Sequence, residues 1–509
     1  MSQAIIAVVL VPLGGAILAS LLAIRSERWT RALVIGVAVA HAGAVALVAV
    51  GVAATGGSVY HVGGWAAPVG IVLVADPLSV FFLILVSLGH LAFLAHASVE
   101  ERSERKGLWT LTELFVTALS GMILAGDLFN LFVFIELASV ASAGLITHKQ
   151  RAEGAGAGFV YLMFASVSGL FFLAAVIVVY AGGGSLTLAA ISTTTSFLPA
   201  GSYRAVVGLL MASLGIKFGL VPFHLWQAPA YDASGSSVAG LLSGTGMKAY
   251  LYVLIRLLIH TLRAGTMIAH IDLVVLVLGL ANIIVGHVLA LAERDLKRLL
   301  AFSSIAHVGY ILVAVATVLS AQPYGAASLI AAAAATAAAT AALLHIAFHA
   351  LIKTTLFYAG RTLVNRASTA IIEGLRGVAR VEPIGFGSFV LAAIALIGIP
   401  PASGFYSKWR IAVEAHHAFG AMPVAVIAAG TVISALYYAR VLHVGLAAPR
   451  RPASGRVGGS RLTLALVTVL ALATMVAGGL GTAVETLFED AARAFVDAER
   501  YLLLVLGGE

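Results

Sequence analysis

The stretch GDLFNLFVFIELASVASAGLI (126–146) is long enough to cross a bilayer and is almost wholly apolar, yet it carries Asp127 at one end and Glu136 near its centre. A carboxylate at the middle of a membrane-length helix has to face a partner or a hydrated path. The rest of the chain shows what that partner is. Of 509 residues, 61% are hydrophobic and 10% are charged, and the mean hydropathy is +1.05. That composition defines a polytopic membrane protein. The absence of cysteine excludes disulfides, thiolate nucleophiles, iron–sulfur clusters and cysteine-type zinc sites. The first apolar run, Ala4 to Ile24, lacks a basic region before it and reads as a retained helix rather than a cleaved signal.

At roughly 20 apolar residues per span, the sequence predicts fourteen helices, numbered here in chain order. They lie near 2–24, 32–55, 73–97, 108–125, 128–147, 157–181, 204–227, 237–262, 272–291, 298–319, 326–360, 384–415, 419–442 and 462–482. The loops after helices 1, 3, 5, 9, 11 and 13 hold twenty of the thirty basic residues. These are Arg25, Arg28, Arg31, Arg102, Arg105, Lys106, Lys149, Arg151, Arg294, Lys297, Arg298, Arg361, Arg366, Arg376, Arg380, Arg440, Arg450, Arg451, Arg456 and Arg461. The positive-inside rule then puts these loops in the cytoplasm and both termini on the far side of the cell (inner) membrane. The net charge of +8 reports this topology, and no nucleic-acid partner is expected. Residues 445–461 read as a flexible basic loop, with no separate soluble domain.

Lys217, Lys248, Lys353 and Lys408 each fall inside a predicted span. An ionisable group at a helix centre costs about 2.5–3.5 kcal/mol on insertion scales. A lysine near a helix end can snorkel, and one Glu–Lys pair can simply lock two helices. Those readings suit a single residue better than the whole set, because helix breakers accompany two of the lysines. Gly219 and Pro222 interrupt GIKFGLVPFHLW (215–226), and Pro400, Pro401 and Gly404 interrupt GIPPASGFYSKWRIA (398–412). Unwound backbone is tolerated at membrane depth only where protein or water satisfies it, and paired breaks in two halves of a chain point to an ion pathway.

Taken together, GDLFNLFVFIE, KFGLVPFHLW, GMKAYLYVLIR, ERDLKRLLAFSSIAHVGY, HIAFHALIKTTLFYAG and GIPPASGFYSK resemble, in order and spacing, the antiporter-like subunits shared by Mrp-type multisubunit cation/proton antiporters, membrane-bound hydrogenases and respiratory complex I. GDLFN before the glutamate looks most like the D-type Mrp subunit and its hydrogenase relatives. The resemblance implies an all-α fold with two inverted five-helix repeats, helices 4–8 and 9–13, in which helices 7 and 12 are broken. Its boundaries fall at 1–107 for the N-terminal helices, 108–263 and 264–442 for the repeats, and 443–509 for the basic loop, helix 14 and tail. It also implies roles for proton translocation. Glu136 and Lys217 match an ion pair that opens and closes, Lys248 a relay lysine and Lys408 a terminal lysine. One departure stands out: where the family usually has a WLPxAYxxAP-like segment, this chain reads WQAPAYDASG, with a shifted proline and Asp232.

The side-chain chemistry supports a proton switch independently. Moving a carboxylate toward or away from a buried amine toggles that amine between holding and releasing a proton, with no cofactor. His345, His349 and Lys353 recur at i, i+4 and i+8 and share a helix face, and such a row can pass protons. For either histidine alone, a structural bond to a carbonyl is the competing reading. HxxxH without a following glutamate is a poor metal motif, so no metal and no cofactor are expected. Accessory candidates are His307, His224, Asp127 and Glu113, the last either a second carboxylate or an interfacial residue. The sequence assigns no role to His41, His90, His96, His260, His287 and His443, and Asp76 is expected at an interface, with the lining of an entry as the alternative.

The expected function is a proton-translocating subunit of a multisubunit Na⁺/H⁺ antiporter. Its partners would be other membrane subunits, the lipid bilayer, and protons with Na⁺ as a further cargo. The first alternative is a pumping subunit of a complex I-like oxidoreductase or hydrogenase, a translocase with no cofactor of its own. The second, from another class, is a membrane-embedded transferase, which would need acidic metal-phosphate motifs or a large hydrophilic loop that the sequence lacks.

Overall fold

Apolar runs of membrane length cannot leave backbone groups unpaired in lipid, so they form helices. The computed structural model describes residues 2–67, 69–100, 107–149, 152–194, 198–263, 268–321, 329–448 and 459–507. Arg102, Arg105, Lys106, Arg151, Arg450, Arg451 and Arg456, and most of the predicted basic loop, lie outside them. Twelve described helices are long and apolar enough to span a membrane, and Leu108–Leu124 and Pro383–Ile397 are shorter apolar helices. Together they account for the fourteen predicted spans of an all-α polytopic membrane protein. Helix 8 is buried throughout its apolar window and helix 10 over 94% of it. Lys248 and His307 therefore sit on the two innermost helices.

Helices 7 and 12 are broken where the glycines and prolines stand. The first half of helix 7, Ala200–Phe218, ends on Gly219 with φ 78°, and that of helix 12, Pro383–Ile397, ends on Gly398 with φ 88°. Both are left-handed C-caps that glycine adopts without a Cβ penalty. After the breaks, helix 7 resumes as a 3₁₀ turn Phe223–Trp226 and a short helix Gln227–Ala233, and helix 12 as Ser403–Phe419. Asn282 on helix 9 (Ile271–Ala292) stitches the first break. Its Oδ1 accepts from Val221 N–H at 2.8 Å, and its Nδ2 donates to the Gly219 and Ile305 carbonyls at 3.3 Å. Trp226 Nε1 donates to the freed Ile216 carbonyl at 2.8 Å.

Helix 8 runs Ser236–Leu241, a π turn Leu242–Gly246, Met247–Ile255 and a second π turn Arg256–Thr261. Helix 10 (Leu296–Ser320) starts on Asp295, whose Oδ1 caps Lys297 N and Arg298 N at 2.8 and 3.1 Å. The departing WQAPAYDASG segment is also fastened. Lys297 Nζ stands 3.6 Å from Asp232 Oδ1 and donates to the Asp232 and Ser234 carbonyls.

The basic ends of the odd helices meet. Arg440 of helix 13 (Ala421–Leu446) reaches the Leu291 carbonyl at the end of helix 9. Arg361 of helix 11 (Leu329–Ala367) faces Glu100 at the end of helix 3 (Pro77–Glu100), and Arg376 donates to the Ala448 carbonyl.

Three features go beyond the sequence reading. A hairpin, Ser58–His61 with Val72–Ala75, precedes helix 3. The tail after helix 14 (Arg461–Gly479) forms two amphipathic helices, Gly481–Val496 and Ala498–Leu506, that fold back on the bundle. Asp76, immediately before helix 3, is buried. Both its oxygens accept from Arg256 Nη2 at 2.8 Å, and the Arg256 guanidinium lies over the Tyr501 ring of the tail. Burial raises the Asp76 carboxyl, but the Arg256 charge and the Ser79 N–H outweigh it and hold the group below its ordinary value.

Candidate functional site

All four span lysines are at most 4% exposed, which excludes snorkelling for each. Helix 5 (Leu128–Thr147) carries Glu136, and the first half of helix 7 carries Lys217 just before its capping glycine. The carboxylate and the amine are not in contact as an ion pair, since Lys217 Nζ bonds other partners. Glu136 Oε1 is buried without a hydrogen-bond partner among the described residues. Lys217 Nζ donates to Ser139 Oγ at 2.5 Å and the Ala165 carbonyl at 3.3 Å. Ser139 lies three residues after Glu136 on the same helix face, so a short swing exchanges one acceptor for the other.

Lys248 Nζ donates to the Ser243 carbonyl at 2.6 Å and lies 2.8 Å from His349 Nδ1. The Ser243 carbonyl belongs to the π turn of helix 8, where widened geometry leaves it free for a side chain. With the lysine donating, His349 carries its proton on Nε2.

His307 of helix 10 stands at the centre. Its Nδ1 is 3.1 Å from His345 Nε2, and its ring stacks against His345 at 5.2 Å and His349 at 5.0 Å. His345 Nδ1 is in turn 3.0 Å from Ser407 Oγ on helix 12. His345 exposes one donor and one acceptor at a time, and the serine hydroxyl can fill either role. The segment His307–His345–Ser407 therefore holds two hydrogen bonds whose polarity can reverse together. Between it and the Lys248–His349 segment, His349 Nε2 and His307 Nε2 are both buried and unpartnered among the described residues.

Lys353 shares the helix 11 face with the two histidines, as its spacing predicts, and faces the same helix 10. Its Nζ donates to the Leu300 carbonyl at 2.8 Å and to Ser303 Oγ. Lys408 follows Ser407. Its Nζ donates to the Leu396 and Ile397 carbonyls, at 2.9 and 3.0 Å, and sits 4.8 Å from the Tyr310 ring centre. Those carbonyls are freed by the break in helix 12, so the lysine takes the place of the missing helical donors.

The accessory candidates divide. His307 joins the line. Asp127 is the N-cap of helix 5, its Oδ1 accepting from Asn130 N at 2.7 Å, a structural role. His224 lies in the 3₁₀ turn after the first break, outside the line of amines and imidazoles. Glu113 is fully buried and pairs with His90 at 3.1 Å. Ser139, Ser243, Ser303, Ser407 and Asn282 escaped the sequence reading. Hydroxyls and amides are common in helices, and their partners lie far away along the chain.

Fourteen described apolar helices, two of them broken, surround the buried amines and imidazoles, and comparison with known proteins gives the class: an antiporter-like, proton-translocating membrane subunit. The chain belongs to the NADH:quinone oxidoreductase/Mrp antiporter transmembrane family, whose model matches residues 125–436. That range takes in every site candidate except Glu113. Over 501 residues the chain is 33% identical to the NADH-quinone oxidoreductase subunit N of Desulforudis audaxviator, covering 95% of this chain and 96% of that one. Over 353 residues it is 30% identical to the D-type subunit of the Na(+)/H(+) antiporter of Bacillus subtilis, covering 69% and 68%. Its fold matches a chain of the membrane-bound sulfane sulfur reductase, an archaeal respiratory membrane complex. The TM-score is 0.88 at 23% identity, over 99% of this chain and 100% of that chain.

Proposed function

We propose that this chain moves protons across the plasma membrane along the line Glu136, Lys217, Lys248, His349, His307, His345, Lys408, with Lys353 as a flanking amine, as one subunit of a larger membrane assembly. The observation that carries this reading is the Lys248–His349–His307–His345–Ser407 array. Each of its nitrogens is an exchangeable proton site, and one bridging water between His349 and His307 would close its gap. Glu136 is the switch. When its carboxylate closes on Lys217 the amine holds its proton, and when it withdraws, as in the arrangement with Ser139, the amine releases it toward Lys248. Helices 4–8 and 9–13 act as the two repeats, each with its break in the fourth helix. The basic odd-numbered loops face the cytoplasm, leaving both termini outside.

Cation/proton antiport, with Na⁺ as the exchanged ion, is the favoured setting, supported by the Mrp-like GDLFN motif and the antiporter relative. The longer alignment with the oxidoreductase relative favours a second setting, a redox-driven pump in which partners supply the driving force. Membrane vesicles carrying the whole complex separate the two. Antiport gives proton flux driven by a Na⁺ gradient, and a pump gives flux only with electron donor and acceptor.

In either setting Glu136→Gln keeps the side chain's shape and removes its charge. It is expected to leave the subunit inserted and to lower proton flux at least about tenfold, since burying Lys217 without its counter-charge favours the neutral amine. Normal flux in this variant overturns the switch.

A further inference from the structure

A second buried polar cluster lies on helices 2 (Glu27–Thr55), 3 and 4 (Leu108–Leu124), outside the family-matched region. His41, His90, Glu113 and Ser120 are all fully buried. His90 Nε2 stands 3.1 Å from Glu113 Oε1, and His41 Nε2 stands 3.2 Å from Ser120 Oγ. The two imidazole rings meet edge to face at 6.0 Å. Glu113 Oε2, His90 Nδ1 and His41 Nδ1 are each buried with no hydrogen-bond partner among the described residues. Folded proteins pair nearly all buried polar atoms. Here three unpartnered atoms fall on three adjoining ionisable side chains, and each is a place where a proton can be taken up and given back.

The cluster's position ties it to the transport line. Helix 3 closes on helix 8 at Gly89, beside His90: a Cβ at 89 would fall 2.0 Å from Thr245 Oγ1. On helix 4, Phe115 lies two residues past Glu113, and its ring would meet a Cβ at Gly246 at 2.8 Å. Thr245 and Gly246 belong to the π turn whose Ser243 carbonyl accepts from Lys248. The helices that carry the cluster therefore clamp the turn that holds the relay lysine.

We propose that His41, His90 and Glu113 form a second protonatable centre of the transport machinery, loading and unloading a proton beside the Lys248 turn. The ligand is a proton, held at Glu113 Oε2 or at an imidazole Nδ1. The step moves no electrons, and the groups return to their starting state in each cycle. This inference rests on the proton-translocation reading above.

Glu113→Gln keeps an oxygen that accepts from His90 but cannot ionise. A structural role predicts normal transport, whereas proton loading predicts a fall of at least about tenfold, with Glu113→Asp retaining part of the flux. Proton flux is measured in vesicles carrying the whole complex, with its assembly checked. Infrared difference spectra during turnover are expected to show a carboxylic-acid band that Glu113→Gln removes. Normal flux in an assembled Glu113→Gln complex overturns the proposal. Should that variant fail to assemble, His90→Gln, which keeps an N–H donor to Glu113 without titrating, takes its place under the same criterion. Glu136→Gln runs alongside. Loss there with normal Glu113→Gln flux sinks this centre alone, and normal flux in both sinks the translocation reading.

Discussion

Glu136 owes its room to a neighbour without a side chain. A Cβ at Gly169 of helix 6 (Ala152–Gly183) would fall 2.5 Å from Glu136 Oε1, so the glycine provides the space in which the carboxylate sits apart from Lys217. Only the far end of a flexible side chain would have to yield. Gly169→Ala is therefore expected to fold and assemble normally, since alanine also suits a helix interior better than glycine by about 0.5–1 kcal/mol, while displacing the carboxylate from its open position. Proton flux in vesicles is expected to fall several-fold, about 2–5-fold, with complex abundance unchanged. Wild-type flux in this variant contradicts a moving Glu136. The sequence pointed to Glu136 and the four lysines because a charge inside an apolar run is costly and rare. It could not point to Gly169, one of 53 glycines, whose importance exists only through contact with helix 5.

At the scale of elements, the two breaks are solved differently. Helix 12 hands its freed Leu396 and Ile397 carbonyls to Lys408, a group of the line itself. Helix 7 relies on Asn282 from helix 9, which holds both a donor and an acceptor of the break. Asn282→Ala leaves the Val221 N–H unpaired in an apolar interior, at a cost of about 1–3 kcal/mol. Thermal or denaturant unfolding of the purified complex is expected to show that loss, and an unchanged transition would mean that the break is held by something else. Glycine and proline announced the breaks, because those residues alter the backbone wherever they stand. Asn282 was silent, since it serves a backbone 61 residues away in the chain. The amphipathic tail was silent for a related reason. Its helices matter through the buried Asp76–Arg256 pair and Tyr501, which join residues 180 positions apart and a third segment.

At the scale of the whole molecule, an apolar shell encloses the polar seam of amines and imidazoles. Helices 8 and 10 lie inside and lipid-facing helices surround them, so the seam is shielded where Lys248, His349, His307 and His345 meet. Span number and broken helices were legible because lipid imposes a strict length and apolarity on every segment. The order of residues along the seam was not, because it depends on how helices 8, 10, 11 and 12 face one another. The central claim is that protons pass through Lys248 by exchange, and the most direct measurement compares Lys248→Arg with Lys248→Ala. Arginine keeps its positive charge at essentially any pH and cannot relay a proton. Proton flux in vesicles carrying the whole complex, at matched assembly, is predicted to be lost in Lys248→Arg, at least about tenfold, and to be no worse in Lys248→Ala. Near-normal flux in Lys248→Arg, with loss in Lys248→Ala, would make the lysine a structural cation and contradict the account.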